Sequence, residues 1–357
     1  MLVIAINKCM DKAQFDIRVS GCAPLEYPTD LYYGLLWYDD DEALEIPRRY
    51  PYRGEWGDCL SDYILLRNTY PMPYKLSILW LSIVENKYYI KEEDLPQKLL
   101  TQYWKQHPAN FSHIIVGMAP YGVVALWFYG EKKSVLLAKM YADEVDSEQR
   151  YEIEKSLPIS TEELCKDYID KLPKVNEMLA TKGLPPMDLF DRYMQQFSYR
   201  YLPLFEKWND EEDVKWHKYE EDETLPEFEY IEEALFDGTF DKLHDDSLLK
   251  YHEAGKPKKL AIKWHIGKSE YTAYFWFDDE RICSIFERFY GAHPNTKTDF
   301  IIRIDTEKRK YELGLFRQGL KEPQIIPEEA YQLLVFQNKF EDYRSDNYNQ
   351  ERGAWVW

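Results

Sequence analysis

The stretch Pro73-Tyr-Lys-Leu-Ser-Ile-Leu-Trp80 recurs in altered form as Pro257-Lys-Lys-Leu-Ala-Ile-Lys-Trp264. The two stretches share proline, lysine, leucine, isoleucine and tryptophan at equivalent positions. Both are strongly β-like in composition and in length. Trp80 and Trp264 fall inside these predicted strands, so we interpret them as core residues rather than as ligand-stacking rings. The recurrence predicts two diverged copies of one module.

Further landmarks follow each of these strands in the same order, at spacings that differ by only a few residues. They are a His-Pro step after a predicted helix, then an aliphatic strand, then an aromatic strand that ends in glycine. The pairs are His107 and His293, Ile114 and Ile301, and Gly130 and Gly319. These landmarks predict a repeated strand–strand–helix–strand–strand unit, in which a helix covers one face of each sheet.

The predicted fold class is α+β, with two diverged copies of this strand-strand-helix-strand-strand module and antiparallel sheets. We expect the N-terminal module to span residues 1–146 and the C-terminal module to span residues 235–357. Residues 147–234 differ in character, because helix-like periodicity is followed there by a run of acidic side chains. We therefore expect a helical and acidic linker between the modules.

Two local patterns predict helices. Ser160 or Thr161 can cap a helical stretch, since Glu163 stands near the capping-box position. After the last predicted strand, Pro327–Phe340 is interpreted as a closing helix.

Charge and hydropathy restrict the classes of partner. The net charge is −19 and the isoelectric point is about 4.9. A negative field of this size repels nucleic-acid phosphate and anionic membrane surfaces, so neither is an expected partner. It favours a basic protein partner, or simply solubility. No apolar stretch approaches the roughly 20 residues that a membrane span needs, so we expect no membrane span.

The most acidic part of the sequence runs from Asp210 to Glu233, with aromatic residues between the acids. Such a tract can offer charge and anchoring rings to a basic partner. The predicted partner-binding residues are Asp210, Glu211, Glu212, Asp213, Trp216, Glu220, Glu221, Asp222 and Glu223. The alternative interpretation is a solvated linker between the two modules.

The sequence carries no catalytic or nucleotide-binding motif of the P-loop, GxGxxG, GxSxG or HExxH type. Its five cysteines are scattered without a CxxC pair, which favours reduced, buried thiols over a zinc knuckle or a redox pair. We therefore expect no enzyme activity, no catalytic residues, no cofactor and no metal. The alternative is a hydrolase-type enzyme with a site between the two modules, built from His107, His113 or His293.

The densest polar cluster in the sequence comprises His244, Asp245 and Asp246, with His252 eight residues further on. On a helix, the two histidines would share a face only loosely. We interpret the cluster as solvated residues ahead of the C-terminal module.

Three motifs resemble those of the bacterial domain-of-unknown-function family 2931. They are Cys22-Ala-Pro-Leu-Glu-Tyr27-Pro28 followed by Gly34, Trp80-Leu-Ser82-Ile-Val-Glu85, and Val116-Gly117-Met-Ala-Pro120-Tyr-Gly122 before Trp127 and Gly130. The likeness covers roughly residues 15–145, and the C-terminal copy is more distant. The family tends to Pro-Gly-Gly at the turn where this sequence has Tyr121, so we expect a different turn geometry.

Many members of this family resemble lipoproteins of Gram-negative bacteria, and some lie beside type VI secretion effectors as assumed immunity proteins. The resemblance therefore implies an immunity protein, or antitoxin, that binds and neutralises a cognate, basic bacterial toxin such as a type VI secretion effector. The family supplies no catalytic residues. Asp11, Lys12 and Asp16 stand where a lipoprotein leader would need an apolar run before Cys22, so we expect a cytoplasmic location. The alternative is the periplasm, if a leader has been removed.

Overall fold

The structure is a computed structural model that describes residues 14–49, 51–58, 69–107, 111–205, 226–266, 269–291, 293–305 and 310–339. The chain divides into two compact units. The first contains Met1–Asp191 and Asp237–Thr239, and the second contains Arg192–Phe236 and Phe240–Trp357. Helices accompany several largely antiparallel sheets, so the α+β class predicted from the sequence is confirmed.

The strands of the first unit are short and follow one another closely. They are β1 (Gln14–Phe15), β2 (Arg18–Cys22), β3 (Thr29–Trp37), β4 (Ala43–Glu45), β5 (Tyr70–Pro71), β6 (Lys75–Ser82), β7 (Lys87–Asp94), β8 (His113–Ala119), β9 (Val123–Tyr129), β10 (Ser134–Tyr141) and β11 (Asp143–Glu144). The helices are α1 (Gln97–Gln106), α2 (Ser147–Glu154), α3 (Thr161–Asp170), α4 (Pro173–Lys182) and α5 (Leu189–Tyr193). The last of these crosses the boundary to the second unit. Ser160 and Glu163 form the predicted capping box at the start of α3.

Two larger sheets organise the first unit, with strand orders β10-β9-β8-β2 and β11-β7-β6-β3-β4. All neighbouring strands in them pair antiparallel except β2 and β8, which run parallel. The main core lies on the side of β6 that carries Leu76, Ile78 and Trp80, all without exposed surface. Helix α1 packs onto this core, since Trp104 meets Phe128 edge to face with 4.9 Å between the ring centroids. The prediction that Trp80 is a core residue is therefore confirmed.

The second unit also contains two large sheets. Its strands are β12 (Phe197–Phe205), β13 (Pro226–Leu235), β14 (Phe240–Leu243), β15 (His252–Ala254), β16 (Pro257–Ile266), β17 (Ser269–Phe277), β18 (Thr298–Asp305), β19 (Lys310–Arg317), β20 (Gln324–Ile326) and β21 (Tyr331–Lys339). Its helices are α6 (Asp245–Leu248) and α7 (Asp279–Gly291). The strand orders are β15-β12-β18-β19-β20 and β14-β13-β16-β17-β21. Trp264 has no exposed surface and lies in the core with Phe286 of α7, as predicted for this tryptophan.

The two units share one order of strand pairing. The order β11-β7-β6-β3-β4 in the first unit corresponds to β21-β17-β16-β13-β14 in the second. The order β10-β9-β8-β2 corresponds to β20-β19-β18-β12, with β15 added beside β12. Each unit has its parallel pair at the equivalent place, and α1 and α7 occupy equivalent positions along the chain. The duplication of the module itself stays a prediction.

The predicted closing helix over Pro327–Phe340 is wrong. Glu328–Ala330 forms a short 3-10 turn, and Tyr331–Lys339 is strand β21. This strand pairs with β17 along its whole length, from Tyr331 opposite Phe277 to Lys339 opposite Ser269. A full ladder of pairing at a sheet edge outweighs the weak helix propensity of the segment.

Residues 147–234 are more than a linker. They contain α2, α3 and α4, as the helical part of the prediction requires, but also β12 and β13. Both strands have a neighbour on each side in their sheets. The acidic residues after 225 therefore belong to an internal strand of the second unit.

The turn between β8 and β9 holds Tyr121 in the left-handed region, with φ 61° and ψ 26°. This conformation favours glycine, the residue type that the family pattern has at this position. The Tyr121 N–H donates a hydrogen bond to the Glu85 carboxylate over 3.0 Å, and its hydroxyl donates to the Pro185 carbonyl over 2.6 Å. These contacts stabilise a tyrosine in a glycine-like backbone conformation.

Cys22, Cys165 and Cys283 are buried thiols, as predicted, and form no disulfide within the described part of the chain. Burial raises the pKa of the Cys165 thiol to about 12 and that of Cys283 to about 11, so both stay protonated and unreactive at neutral pH. Cys9 and Cys59 lie outside the described residues.

Candidate functional site

In the second unit, one side of the sheet β14-β13-β16-β17-β21 packs into the core, and the other side lies open among the described residues. Because side chains alternate along a strand, Leu260, Ile262 and Trp264 point inward and the residues between them point outward. We call this open side the outer face. Its residues are Glu229, Tyr230 and Glu232 of β13, Lys242 of β14, Lys259, Lys263 and His265 of β16, Glu270, Tyr274 and Trp276 of β17, and Leu334 and Phe336 of β21.

An aromatic patch forms the centre of the outer face. The rings of Tyr274 and Trp276 stack with 5.6 Å between their centroids, and Phe336 meets Tyr274 edge to face at 5.9 Å. The Lys259 ammonium lies 5.3 Å from the Tyr274 centroid, within reach of a cation–π interaction. Leu334 and Phe336 remain 47% and 46% exposed. Contiguous exposed apolar surface of this kind marks interaction sites, whereas single exposed side chains do not.

Charged side chains border this patch. The Lys242 ammonium lies 3.4 Å from the centroid of the Tyr230 ring and 2.9 Å from the Glu232 carboxylate. The outer face therefore combines an apolar centre with a charged border, which is the arrangement found in protein–protein interfaces.

An ion-pair cluster occupies the end of the outer face where β16 turns into β17. The Lys263 ammonium lies 2.9 Å from the Glu270 carboxylate and 3.3 Å from that of Glu229, and His265 Nε2 lies 2.9 Å from Glu229. The ligand atoms of Glu229, His265 and Glu270 are within 4.8 Å of one another, as a divalent cation would require. Partial burial by itself would lower the pKa of Lys263. Hydrogen bonds to Glu270 and Glu229 outweigh burial and raise the pKa above its usual value, so the ammonium stays charged. The lysine thus supplies the positive charge of the cluster, and we assign no metal to it.

A second polar group lies inside the core of the second unit. The Tyr201 hydroxyl donates a hydrogen bond to Glu233 over 2.6 Å, and His252 Nε2 lies 3.7 Å from the same carboxylate. Burial, followed by the negative charge of Glu233, raises the pKa of the Tyr201 phenol well above its usual value, so it remains a donor. Burial lowers the pKa of His252, but its contact with Glu233 raises it on balance. His252 is therefore not the fully solvated residue that the sequence suggested. His244, by contrast, is exposed.

The three histidines of the hydrolase alternative have separate surroundings. In the first unit, His113 is 6% exposed, and its Nδ1 lies 2.7 Å from the Ser112 hydroxyl. His107 is exposed, and its ring is tilted by 50° against that of Tyr103, with 5.1 Å between the centroids. In the second unit, His293 is exposed just beyond α7. A cleft of about 590 Å³ in the second unit is lined by Lys310, Tyr311, Glu312, Ile325, Ile326, Glu328, Tyr331 and Leu333, a set without histidine, serine or cysteine. The hydrolase alternative stays a prediction.

The predicted partner-binding residues, Asp210 to Asp213, Trp216 and Glu220 to Glu223, lie outside the described residues. The later part of the acidic tract is described, and it contributes Glu229, Glu232 and Glu233 to β13. Of these, Glu229 and Glu232 are on the outer face, whereas Glu233 points into the core with 4% of its surface exposed.

Sequence reasoning missed the outer face, although part of its signal was available. Lys259, Lys263 and His265 alternate with buried residues along β16, and Tyr274 and Trp276 do so along β17. Two-residue alternation predicts one side in the core and one side open. The positions of Leu334 and Phe336 could not be inferred in this way, because both residues belong to the segment that was predicted to be a helix.

The fold and this site define a class of α+β protein with two sheet-rich units, one of which presents an open aromatic sheet face. The chain belongs to the family described as "Protein of unknown function (DUF2931)", whose model matches residues 6–185. The outer face therefore lies beyond the matched region. No curated protein and no solved structure matches the chain. Among the described helices, none is both long and apolar enough to cross a membrane.

Proposed function

We propose that the protein is an immunity protein, or antitoxin, that binds and neutralises a cognate basic bacterial toxin. The observation that carries this proposal is the outer face, an aromatic patch with a charged border in a strongly acidic chain. We assign this face as the surface that contacts the toxin.

The aromatic patch has the properties of a binding hot spot. Tryptophan and tyrosine contribute much of the binding energy in protein interfaces, because large rings bury area at a small entropic cost. Tyr274 and Trp276 are on β17, which has a paired strand on each side, so their positions are set before a partner arrives. Such preorganisation reduces the cost of binding.

Charge supports association with a basic toxin. The net charge of −19 attracts a basic partner from a distance, and the association rate should fall as the salt concentration rises. On the outer face itself Lys242 and Lys259 are positive, so the contacting part of the toxin should be apolar with acidic groups beside it. The basic residues of the toxin should then face the acidic surfaces around the patch.

The biological setting is also part of this proposal. We place the protein in the cytoplasm, with the periplasm as the alternative, and take the toxin to be a type VI secretion effector. The family resemblance is the source of the type VI assignment.

The experiment compares Trp276→Ala with the native chain for binding to the purified product of the neighbouring gene. We expect the dissociation constant to rise by about 10- to 100-fold, the loss typical of an interface hot spot. Tyr151→Ala is the matched control, because Tyr151 is an aromatic residue of the first unit that is 67% exposed. Its affinity should equal that of the native chain.

Two results would count against the proposal in different ways. A toxin that keeps its activity with an excess of the native chain would contradict the immunity function. Inhibition by the native chain with equal affinity for Trp276→Ala would show that the toxin binds elsewhere.

A further inference from the structure

Strand β21 has an open edge among the described residues. It is the last strand of its sheet, and its nine residues pair with β17 on one side only. Leu333, Leu334 and Phe336 are 37%, 47% and 46% exposed. The stretch from Tyr331 to Asn338 contains no charged residue, no proline and no glycine. A long apolar edge of this kind is a template for pairing with another strand.

The other edge strands of the large sheets have features that prevent such pairing. Six of them have only two to five residues each, namely β2, β4, β11, β14, β15 and β20. Strand β10 has eight residues, but a bulge between Leu136 and Ala138 interrupts its register. Short strands and bulges protect sheet edges from association, whereas β21 has neither feature along its described length. We therefore expect another strand to occupy the open edge of β21.

The backbone of β21 offers hydrogen-bonding groups at this edge. The Asp278 N–H donates to the Ala330 carbonyl over 2.9 Å, so these two residues form a hydrogen-bonded pair just before β21 begins. Hydrogen-bonded pairs alternate along antiparallel strands, and the register of β17 and β21 continues without a shift. The N–H and carbonyl groups of Leu333, Val335 and Gln337 therefore point away from β17, toward the open edge.

The sequence of β21 is self-complementary about Val335. When two copies pair antiparallel with Val335 opposite Val335, Leu334 of each copy lies opposite Phe336 of the other. Both of these cross-strand pairs are apolar and lie on the outer face, where such pairs stabilise a sheet. Leu333 and Gln337 also lie opposite each other, so the groups that point toward the open edge form about six backbone hydrogen bonds between the copies.

Charge and size indicate how strongly two copies can associate. Chains of net charge −19 repel each other at long range, but the stretch from Tyr331 to Asn338 is neutral, so pairing along it opposes no like charges. A nine-residue strand is about 30 Å long and a sheet is about 10 Å thick, so pairing buries about 300 Å² of each copy. Interfaces of this size are weak and transient, so we expect a dissociation constant of about 10–100 µM.

We propose that two copies of the chain associate through β21, in an antiparallel pairing that joins their sheets into one continuous sheet. Leu334 and Phe336 of each copy then stand beside those of the other, and the outer face extends across both copies. This association needs no toxin, so it can fail while the immunity function holds, and the reverse.

The test measures the oligomeric state of the full chain by sedimentation velocity at rising protein concentration. We expect a monomer–dimer equilibrium in the range given above. Leu334→Lys with Phe336→Lys opposes like charges across the pairing, and so does Leu334→Glu with Phe336→Glu. Each double variant alone should weaken the dimer at least about tenfold, because like charges directly opposite each other destabilise paired strands. An equimolar mixture of the two variants opposes unlike charges instead, and should associate at least as tightly as the native chain.

Leu99→Lys with Met187→Lys is the matched control, because these side chains of the first unit are 67% and 74% exposed. It adds the same charge away from β21 and should dimerise as the native chain does. A native chain that stays monomeric at about 200 µM would overturn the inference, even if the product of the neighbouring gene binds the edge. A lysine variant that dimerises like the native chain would also overturn it, as would a mixture that gains no affinity over the separate variants. Recovery in the mixture shows that both double variants are folded.

Discussion

Tyr201 donates a hydrogen bond of 2.6 Å to the buried carboxylate of Glu233, and so joins strand β12 of one sheet to strand β13 of the other in the second unit. A buried carboxylate is costly without donors, because the interior cannot replace the hydrogen bonds of water. The tyrosine hydroxyl therefore allows an acidic residue beside a large cluster of apolar and aromatic side chains.

Removal of this donor should destabilise the protein. We expect Tyr201→Phe to lower the free energy of unfolding by about 1–3 kcal/mol, the usual cost of leaving a buried polar group unsatisfied. Urea unfolding followed by circular dichroism provides the measurement. Tyr151→Phe removes a hydroxyl from an exposed ring and should leave the midpoint unchanged. Equal midpoints for the native chain and Tyr201→Phe would show that the hydrogen bond contributes nothing.

The buried carboxyl of Asp30 in the first unit should make stability depend on pH. Burial raises its pKa to about 7, although the Tyr168 hydroxyl at 3.4 Å and the charge of Arg48 favour the ionised form. The raised pKa means that the folded chain binds a proton that the unfolded chain releases. Stability from this group is complete below pH about 4 and is lost as the pH rises to about 7.

Asp30→Asn removes this titration. We expect the variant to be more stable than the native chain by about 1–3 kcal/mol at pH 8, with a smaller difference at pH 5. Urea unfolding at the two pH values checks this. A stability difference that is the same at pH 5 and pH 8 would contradict a raised pKa.

Position 57 in the first unit requires glycine for two reasons, its backbone conformation and the atoms that surround it. Its φ is +81°, and a Cβ there would overlap the carbonyl of Gly238, which belongs to the same unit. Gly183 has φ +74°, but a Cβ there would meet nothing within 4 Å. The two glycines therefore separate backbone strain from steric overlap.

Alanine at each position should give different losses. We expect Gly183→Ala to lower the free energy of unfolding by about 1–3 kcal/mol through strain alone. Gly57→Ala should lower it by at least about 2 kcal/mol more, since backbone must also move. Thermal unfolding of the two variants side by side measures the difference. A smaller loss of stability for Gly57→Ala than for Gly183→Ala would contradict the close approach of residue 57 to the Gly238 carbonyl.

Part of the fold was predictable because it depends on short-range patterns. The β-like composition around Trp80 and Trp264 predicted two strands with buried tryptophans, and the spacing of Ser160 and Glu163 predicted a helix cap. Hydrogen bonds within a turn or between a cap and its helix need no distant partner. Such features can be inferred from a window of a few residues.

The candidate site was less accessible to the same reasoning. The segment Tyr331–Lys339 was predicted to be a helix, but pairing with β17, a strand much earlier in the chain, gives it a strand conformation. Leu334 and Phe336 therefore lie on the outer face because of a contact between segments that are far apart in the sequence. The residues predicted to bind a partner were selected by their charge and by the aromatic rings between the acids, and neither property specifies where a side chain lies.

The sequence by itself determined the α+β class, the two central tryptophans, the helix cap and the negative charge, because each depends on local periodicity, local hydrogen bonding or composition. The tertiary structure decided which side of each sheet is covered. In the first unit, α2 and α3 return over the side of β6 and β7 opposite the main core, whereas the equivalent side of β16 and β17 lies open among the described residues. The physical reason is that alternation defines two sides of a strand, but only the path of distant segments determines whether the second side meets protein or solvent.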